Sequence, residues 1–396
     1  MKPIQSTLQT RILRNCLPTL LILAFGCSQA GEDVAIGPYV QNVSHERATI
    51  CWSTPKGEAA LKGPDYSETR REYEHHSVTF AHLDPSNTYE YSIPGAEGRK
   101  AKGSFKTFPE ENEPFRFAVL GDTRSRDDIH KSLVGKIIEE KPLFVINTGD
   151  LVSDGMDMEQ WETFFDINKE LMRSVPYYPA LGNHENDSPY YYEFFQLPGN
   201  ERYYTFNVGD AFFLFLDTQG EAYETPKYIP PEKWSEYWTY RNRPYIEQQR
   251  AWAERILKLH QDAGYLFAVF HEPMFSAKAS RVEESKLRRA LWDDVLEKSG
   301  VQVAFCGHDH HYHHALNGPT HHLVTGGGGA GLYDADAPQP ETVKTNKIEH
   351  YIRIDVGYPE TKLTAIDING ETIDELVVKH RHPERLETAD PKATAK

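Results

Sequence analysis

Between residues 115 and 306, short apolar runs alternate with longer stretches of helical periodicity, and each run stops at glycine or histidine. Phe115–Leu120 (FRFAVL) stops at Gly121-Asp122, Leu143–Asn147 before Gly149-Asp150, and Tyr177–Leu181 at Gly182. Phe267–Phe270 ends at His271, and Val301–Cys306 at Gly307-His308. Short apolar runs bounded in this way predict strands buried on both faces. Ile129–Glu140, Met158–Arg173 and Ile246–Gln261 lie between them as predicted helices. In the last, Trp252, Ile256 and Leu259 fall at helical spacing and predict an apolar stripe. Strand–helix alternation implies parallel strands with crossover helices, and such α/β sheets carry ligands beyond the carboxyl ends of their strands.

The flanks read differently. Residues 34–108 predict a small all-β domain: Ala48–Thr54 alternates as a half-buried strand, and Tyr73–Phe80 and Tyr89–Ile93 suggest two more. Turns fall at Asp84-Pro85-Ser86-Asn87 and at Pro94-Gly95. The Glu-rich Pro109–Pro114 is the linker to a catalytic domain spanning 115–380. Near its end, Lys362–Ile368 and Thr372–Val378 around Asn369-Gly370 predict a hairpin. Residues 383–396 form a polar tail of disordered composition.

Arg11 and Arg14 precede an apolar stretch, Leu17–Phe25. The charged start and short apolar core predict an export signal over residues 1–30, since a membrane span needs about 20 apolar residues. Ser28-Gln29-Ala30 offers a cleavage site, while Gly26-Cys27 offers an alternative acceptor for a lipid anchor. Either one places the protein outside the cytoplasm, as a periplasmic, secreted or lipid-anchored species. Beyond this region only Cys51 and Cys306 remain, in different predicted domains, so no disulfide is expected. A formal charge of −16 with no basic cluster argues against nucleic-acid binding as a main task.

The chemistry is set by the residue types at the strand ends. Carboxylates and imidazoles together suit a hard or borderline metal ion, where thiolates would favour a soft one. A carboxylate such as Asp150 can bridge two ions, and ions about 3.5–4 Å apart clamp both oxygens of a phosphoryl displacement. His184, next to Asn183, is placed to protonate a departing alkoxide without itself binding metal.

In this order, Gly121-Asp122, Gly149-Asp150, Gly182-Asn183-His184-Glu185, His271 and Gly307-His308-Asp309-His310 resemble the calcineurin-like metallophosphoesterases. Within them the chain is most similar to bacterial relatives of the purple acid phosphatases, over roughly Ile36 to Val356. The resemblance implies a four-layer α/β/β/α sandwich preceded by a fibronectin III-like domain. It implies Asp122, Asp150 and His310 at a first metal, and Asp150, Asn183, His271 and His308 at a second. It implies His184 as general acid and two ions drawn from Fe, Zn and Mn. Two positions depart from the pattern. Ser153 stands where purple acid phosphatases carry the tyrosine that colours them, so no purple band is expected. Arg124 stands where many relatives supply a histidine, which leaves the first metal short of its fourth ligand. His130, eight residues beyond Asp122, is the candidate replacement. Arg124 is a candidate phosphate-binding cation by its bidentate geometry, or else the partner of Asp127 or Asp128.

The remaining features have secondary roles. Glu185 is expected to support its loop, and His313 and His314 to sit on a solvated hairpin, with His321 a borderline case. The glycine run 326–331 follows a strand late in the domain, so it is no dinucleotide fingerprint but a place for close backbone approach. Aromatics between Thr218 and Pro244, among them Tyr223, Trp234 and Trp238, suggest a lid that stacks on an organic moiety. The expectation is an exported dinuclear phosphoesterase that hydrolyses phosphate mono- or diesters of small molecules or surfaces by metal-bound hydroxide. A second reading is an exported binding protein with a degenerate, structural metal site, which the missing fourth ligand favours.

Overall fold

A computed structural model describes residues 34–62, 67–93, 102–110, 112–219 and 243–387. The signal region with Cys27, the Pro94-Gly95 turn, the aromatics of 220–242 and the tail beyond 387 lie outside the described residues. The N-terminal region is all-β, as expected. Strands β1 (Ile36–Gln41), β2 (Arg47–Lys62) and β3 (Ser67–Ala81) form an antiparallel sheet, and β4 (Thr88–Ser92) pairs with β5 (Lys102–Lys106). This region shares its core with the α/β region C-terminal to it: Tyr39 Oη donates to Phe194 O at 2.8 Å, and Tyr178 Oη donates to Val43 O at 2.9 Å.

Two sheets carry the rest. The apolar runs become β6 (Phe115–Leu120), β7 (Phe144–Asn147) and β8 (Tyr177–Pro179), parallel to one another. Helices α1 (Asp127–Glu140) and α2 (Met158–Met172) connect them, and α3 (Pro189–Phe194) comes next. The second sheet holds β9 (Tyr204–Val208), β10 (Ala211–Phe215), β11 (Tyr265–Val269), β12 (Val303–Cys306), β13 (Tyr312–Asn317), β14 (Thr320–Thr325) and β15 (Thr342–Asn346). Helices α4 (Arg243–Leu259) and α5 (Val282–Ser299) cross over within it. The chain then returns through β16 (His350–Val356), β17 (Glu360–Asp367) and β18 (Thr372–Lys379) to the first sheet. The orders are β18-β17-β16-β6-β7-β8 and β15-β13-β14-β12-β11-β10-β9.

Phenylalanines weld the sheets face to face. The Phe117 ring lies 5.3 Å from Phe213 and 5.8 Å from Phe267, both edge-on, an arrangement that aromatic quadrupoles favour. A second apolar layer, with Phe212, Leu214 and Trp292, fills the space between the larger sheet and α4 and α5. This is the four-layer sandwich. Both strand sets therefore end on one rim, where the glycine- and histidine-bearing motifs meet.

Two expectations need correcting. The buried stripe of α4 is Ile246, Ala253 and Leu257, with Trp252 and Ile256 on its flank, while Leu259 is exposed in the last turn. His313 and His314 do lie on a hairpin, β13–β14, but they are buried, because β15 and the facing sheet cover that strand. His311, His322 and His350 are buried with them; both ring nitrogens of His322 have no hydrogen-bond partner, and His311 Nε2 lies 4.0 Å from Asp309 Oδ2. Burial pushes His322 down to about 3, and His313 and His350 to about 4. No helix among the described residues is long and apolar enough to cross a membrane.

These histidines make stability pH-dependent. An unfolded histidine takes up a proton as pH falls through about 6.5, while the buried native one cannot until far lower, so stability drops as pH falls below 6.5. Each such group costs about 1.4 kcal/mol one pH unit below that value. Urea unfolding at pH 7.5 and 5.5 should show the native state weaker at the lower pH. His322→Leu should remove about 1.4 kcal/mol of that difference, and an unchanged pH dependence would contradict the assignment.

Candidate metal centre

Each motif sits on the first residues past a strand. Asp122 follows β6, Asp150 follows β7, a short 3-10 turn at Asn183–Glu185 follows β8, His271 follows β11, and His308 and His310 follow β12. Asp122, Asp150 and His308 have φ of 55°, 58° and 67°. Non-glycine residues seldom adopt this left-handed conformation, and such strain gathers at functional sites. Gly149, at φ +103°, lets the chain turn so sharply before Asp150; a Cβ there would strike the His271 ring. The late glycine run makes the close approach its composition suggests, since a Cβ on Gly326 would fall 2.9 Å from Asp122 Oδ2.

The side chains aim lone pairs at one another. His271 Nδ1 lies 2.8 Å from Thr148 O and donates to it, which leaves Nε2 without a proton in the neutral ring. That Nε2 stands 3.2 Å from Asn183 Oδ1, 3.3 Å from Asp150 Oδ1 and 3.3 Å from His308 Nδ1. His308 Nδ1 is itself 3.0 Å from Asn183 Oδ1. Burial holds the His308 imidazole well below its usual range, in the neutral form that binds metal. On the other side, His310 Nδ1 donates to Gly331 O at 2.9 Å, and its bare Nε2 faces Asp122 Oδ1 at 3.4 Å. Asp122 Oδ1 is buried with no hydrogen-bond partner. Ligand atoms of Asp122, Asp150 and His310 all lie within 4.8 Å of one another.

Converging acceptors, with the second ring nitrogens tied to carbonyls, are what a metal needs and what a hydrogen-bonded core avoids. The residues fit an ion, and Asp150 faces both groups.

His184 stands beside them. Its backbone N–H donates to Asp150 Oδ1 at 3.0 Å, its Nδ1 donates to Ser153 O at 2.7 Å, and its Nε2 is 3.8 Å from Asp150 Oδ2. Its side chain is 31% exposed against 1% for Asp150, so it is the part of the site that solvent reaches. Glu185 is wholly buried and accepts from Gly182 N at 2.7 Å, Leu151 N at 2.7 Å and Asp150 N at 3.0 Å. It binds two motif loops together. Burial, then the charge of Asp150, raises its carboxyl to about 7.

Two candidates land elsewhere. His130 does not join the ligand atoms: on α1 it packs against Phe164 of α2, ring centroids 5.7 Å apart, with Nε2 3.2 Å from Asn168 Nδ2. Eight residues past Asp122 put it inside the helix interface. Arg124 pairs with Asp150 rather than with Asp127 or Asp128, Nε to Oδ2 at 3.3 Å, and its Nη2 lies 3.3 Å from His310 Nε2. Sequence reasoning missed Arg281, just before α5, which bonds Asp309 Oδ1 at 2.8 Å and also reaches His308 O and the Tyr333 hydroxyl. With Ser276 on Asp309 Oδ2 at 2.5 Å, it pins the loop bearing His308 and His310. Nothing in the local spacing marks Arg281; only Asp309, inside the motif, carried a signal.

Residues 115–312 match the calcineurin-like phosphoesterase family. The chain belongs to that family. Curated relatives of this calcineurin-like phosphoesterase include Purple acid phosphatase 18 of Arabidopsis thaliana, 24% identical over 64% of this chain and 58% of that protein. Acid phosphatase type 7 of Mus musculus is 24% identical over 61% of this chain and 57% of that protein. The chain thus spans less than two thirds of the length of these relatives. Among solved structures, the yellow lupin purple acid phosphatase superposes with a TM-score of 0.66 at 16% identity, covering 86% of this chain and 74% of that one. PhoD superposes with a TM-score of 0.60 at 14% identity, covering 90% of each chain. At such identities the likeness is one of fold.

Glu185→Gln turns one acceptor oxygen into an N–H donor facing backbone N–H groups. It should cost roughly 2–4 kcal/mol in urea denaturation and lower metal affinity together. A variant as stable as the parent would contradict the loop-tying role.

Proposed function

We propose that this calcineurin-like phosphoesterase is an exported hydrolase of phosphate mono- or diesters, dependent on two ions from among Fe, Zn and Mn. The observation that carries the reading is the convergence of metal-binding atoms at one point: Asn183 Oδ1, His271 Nε2, His308 Nδ1 and Asp150 Oδ1 on one side. Asp122 and His310 face Asp150 on the other. When bound, the ions supply positive charge to phosphoryl oxygens and lower the pKa of water.

The chain's own residues do the rest. Ser153 O holds the His184 Nδ1 proton, so the proton given to the leaving alkoxide resides on Nε2, the nitrogen beside Asp150. Asn183 turns its oxygen to the cluster, which leaves its amide N–H groups free to orient a phosphoryl oxygen. Export is supported by Arg11, Arg14 and the apolar Leu17–Phe25, with Cys27 the candidate lipid-anchor residue. The substrate is a phosphorylated small molecule or surface group. The relatives named as acid phosphatases support phosphoester chemistry, while the mono- or diester choice depends on space above the site.

The alternative, a binding protein with a structural metal, draws on Arg124, which contacts two of the ligand residues. Against it stands His184, whose exposure at the mouth serves no structural ion.

Assays with p-nitrophenyl phosphate and bis(p-nitrophenyl) phosphate, run beside metal analysis, separate the two. His184→Asn should lower kcat about 100-fold or more with metal content unchanged. Metal-loaded protein inert toward both substrates would favour the binding-protein reading, while an unaffected His184→Asn variant would remove His184 as the general acid.

A further inference from the structure

Arg124 treats the two halves of the centre unequally. Its Nε lies 3.3 Å from Asp150 Oδ2 and its Nη2 3.3 Å from His310 Nε2. Of the three residues that converge as Asp122, Asp150 and His310, it holds two, and Asp122 Oδ1 makes no hydrogen bond. On the other half, Asn183 Oδ1, His271 Nε2 and His308 Nδ1 face one another away from any contact with it. A guanidinium is always charged and has no lone pair to offer, so it cannot act as the missing fourth ligand. It also repels a divalent ion a few ångströms away in a buried site. Beside it opens a cavity of about 210 Å³ whose walls include Arg124 itself with Ser125, Asp127, Ser153, Gln160 and Phe164. The cavity has room for the displaced side chain and a carboxylate to receive it.

We propose that Arg124 is a built-in competitor for the ion at Asp122–Asp150–His310, which enters only as the guanidinium withdraws into this cavity toward Asp127. The inference rests on the metal-dependent reading above. It makes the centre graded: one ion binds tightly at Asn183–His271–His308, and the other binds weakly, so activity follows the free concentration of the weaker one. Arg124 is thus a residue that sets metal occupancy, in a position where many family members supply a ligand.

The test is calorimetric titration of metal-stripped protein with Mn²⁺, checked by equilibrium dialysis with elemental analysis. The wild-type protein should take up two ions with affinities at least tenfold apart. Arg124→Ala should tighten the weaker step tenfold or more and leave the tighter step in place, and Arg124→His should also give two tight steps. Asp127→Asn, which keeps Arg124 but removes its receiving carboxylate, should weaken the second step further. Two equal steps in the wild type, or a weaker step unmoved or loosened in Arg124→Ala, would overturn the competition and spare the metal-dependent reading. Absence of Mn²⁺ binding in both the wild type and Arg124→Ala would overturn both.

Discussion

Lone pairs from Asp122, Asp150, Asn183, His271, His308 and His310 crowd together at one rim, and among the described residues Arg124 and backbone N–H groups of His184 and His308 donate into them. Such a cluster is costly unless a cation relieves it, because a buried acceptor without a donor forfeits its hydration. The surrounding structure is arranged to hold that cost in place. Thr148 O and Gly331 O capture the outer imidazole protons of His271 and His310, so that bare nitrogens face inward. Three residues accept left-handed backbone to bring their side chains to the same point.

That geometry depends on two sheets meeting at one rim. The aromatic interface of Phe117, Phe144, Phe213 and Phe267 fixes the sheets face to face, so the ends of β6, β7 and β8 oppose those of β11 and β12. Glu185 and Arg281 act at the next level outward. Glu185 ties the Asp150 loop to the Gly182–Glu185 turn, and Arg281 pins the loop of His308 and His310 from the side of α5. Precision at the centre comes from these buried ties, since loops alone would let the ligand atoms drift apart.

The buried histidines of β13 and β14 belong to the same rim but serve another end. They are spaced to alternate across the hairpin, and the register that places His314 opposite Leu323 directs it to Asp374 of the facing sheet, 2.9 Å away. In composition they resemble a solvated, histidine-rich turn, but β15 covers His313 and Phe275 packs on His322, and burial lowers both of these imidazoles.

The sequence by itself determined the strands, their order with the helices, and the chemical types at each strand end, because burial period and punctuation by glycine are local properties. It also marked Asp122, Asp150, Asn183, His184, His271, His308 and His310 as a group, since each follows its strand directly. Tertiary structure decided what spacing cannot encode. His130 carries the right chemistry, yet α1 turns it onto Phe164 of α2, because direction around a helix depends on which face the sheet covers. Leu259 has the right period and is left in solvent at the helix end. Arg124 and Arg281 take their roles from neighbours 26 or more residues away along the chain. Their partners become neighbours only when the strands and helices pack, which is why no local pattern announces them.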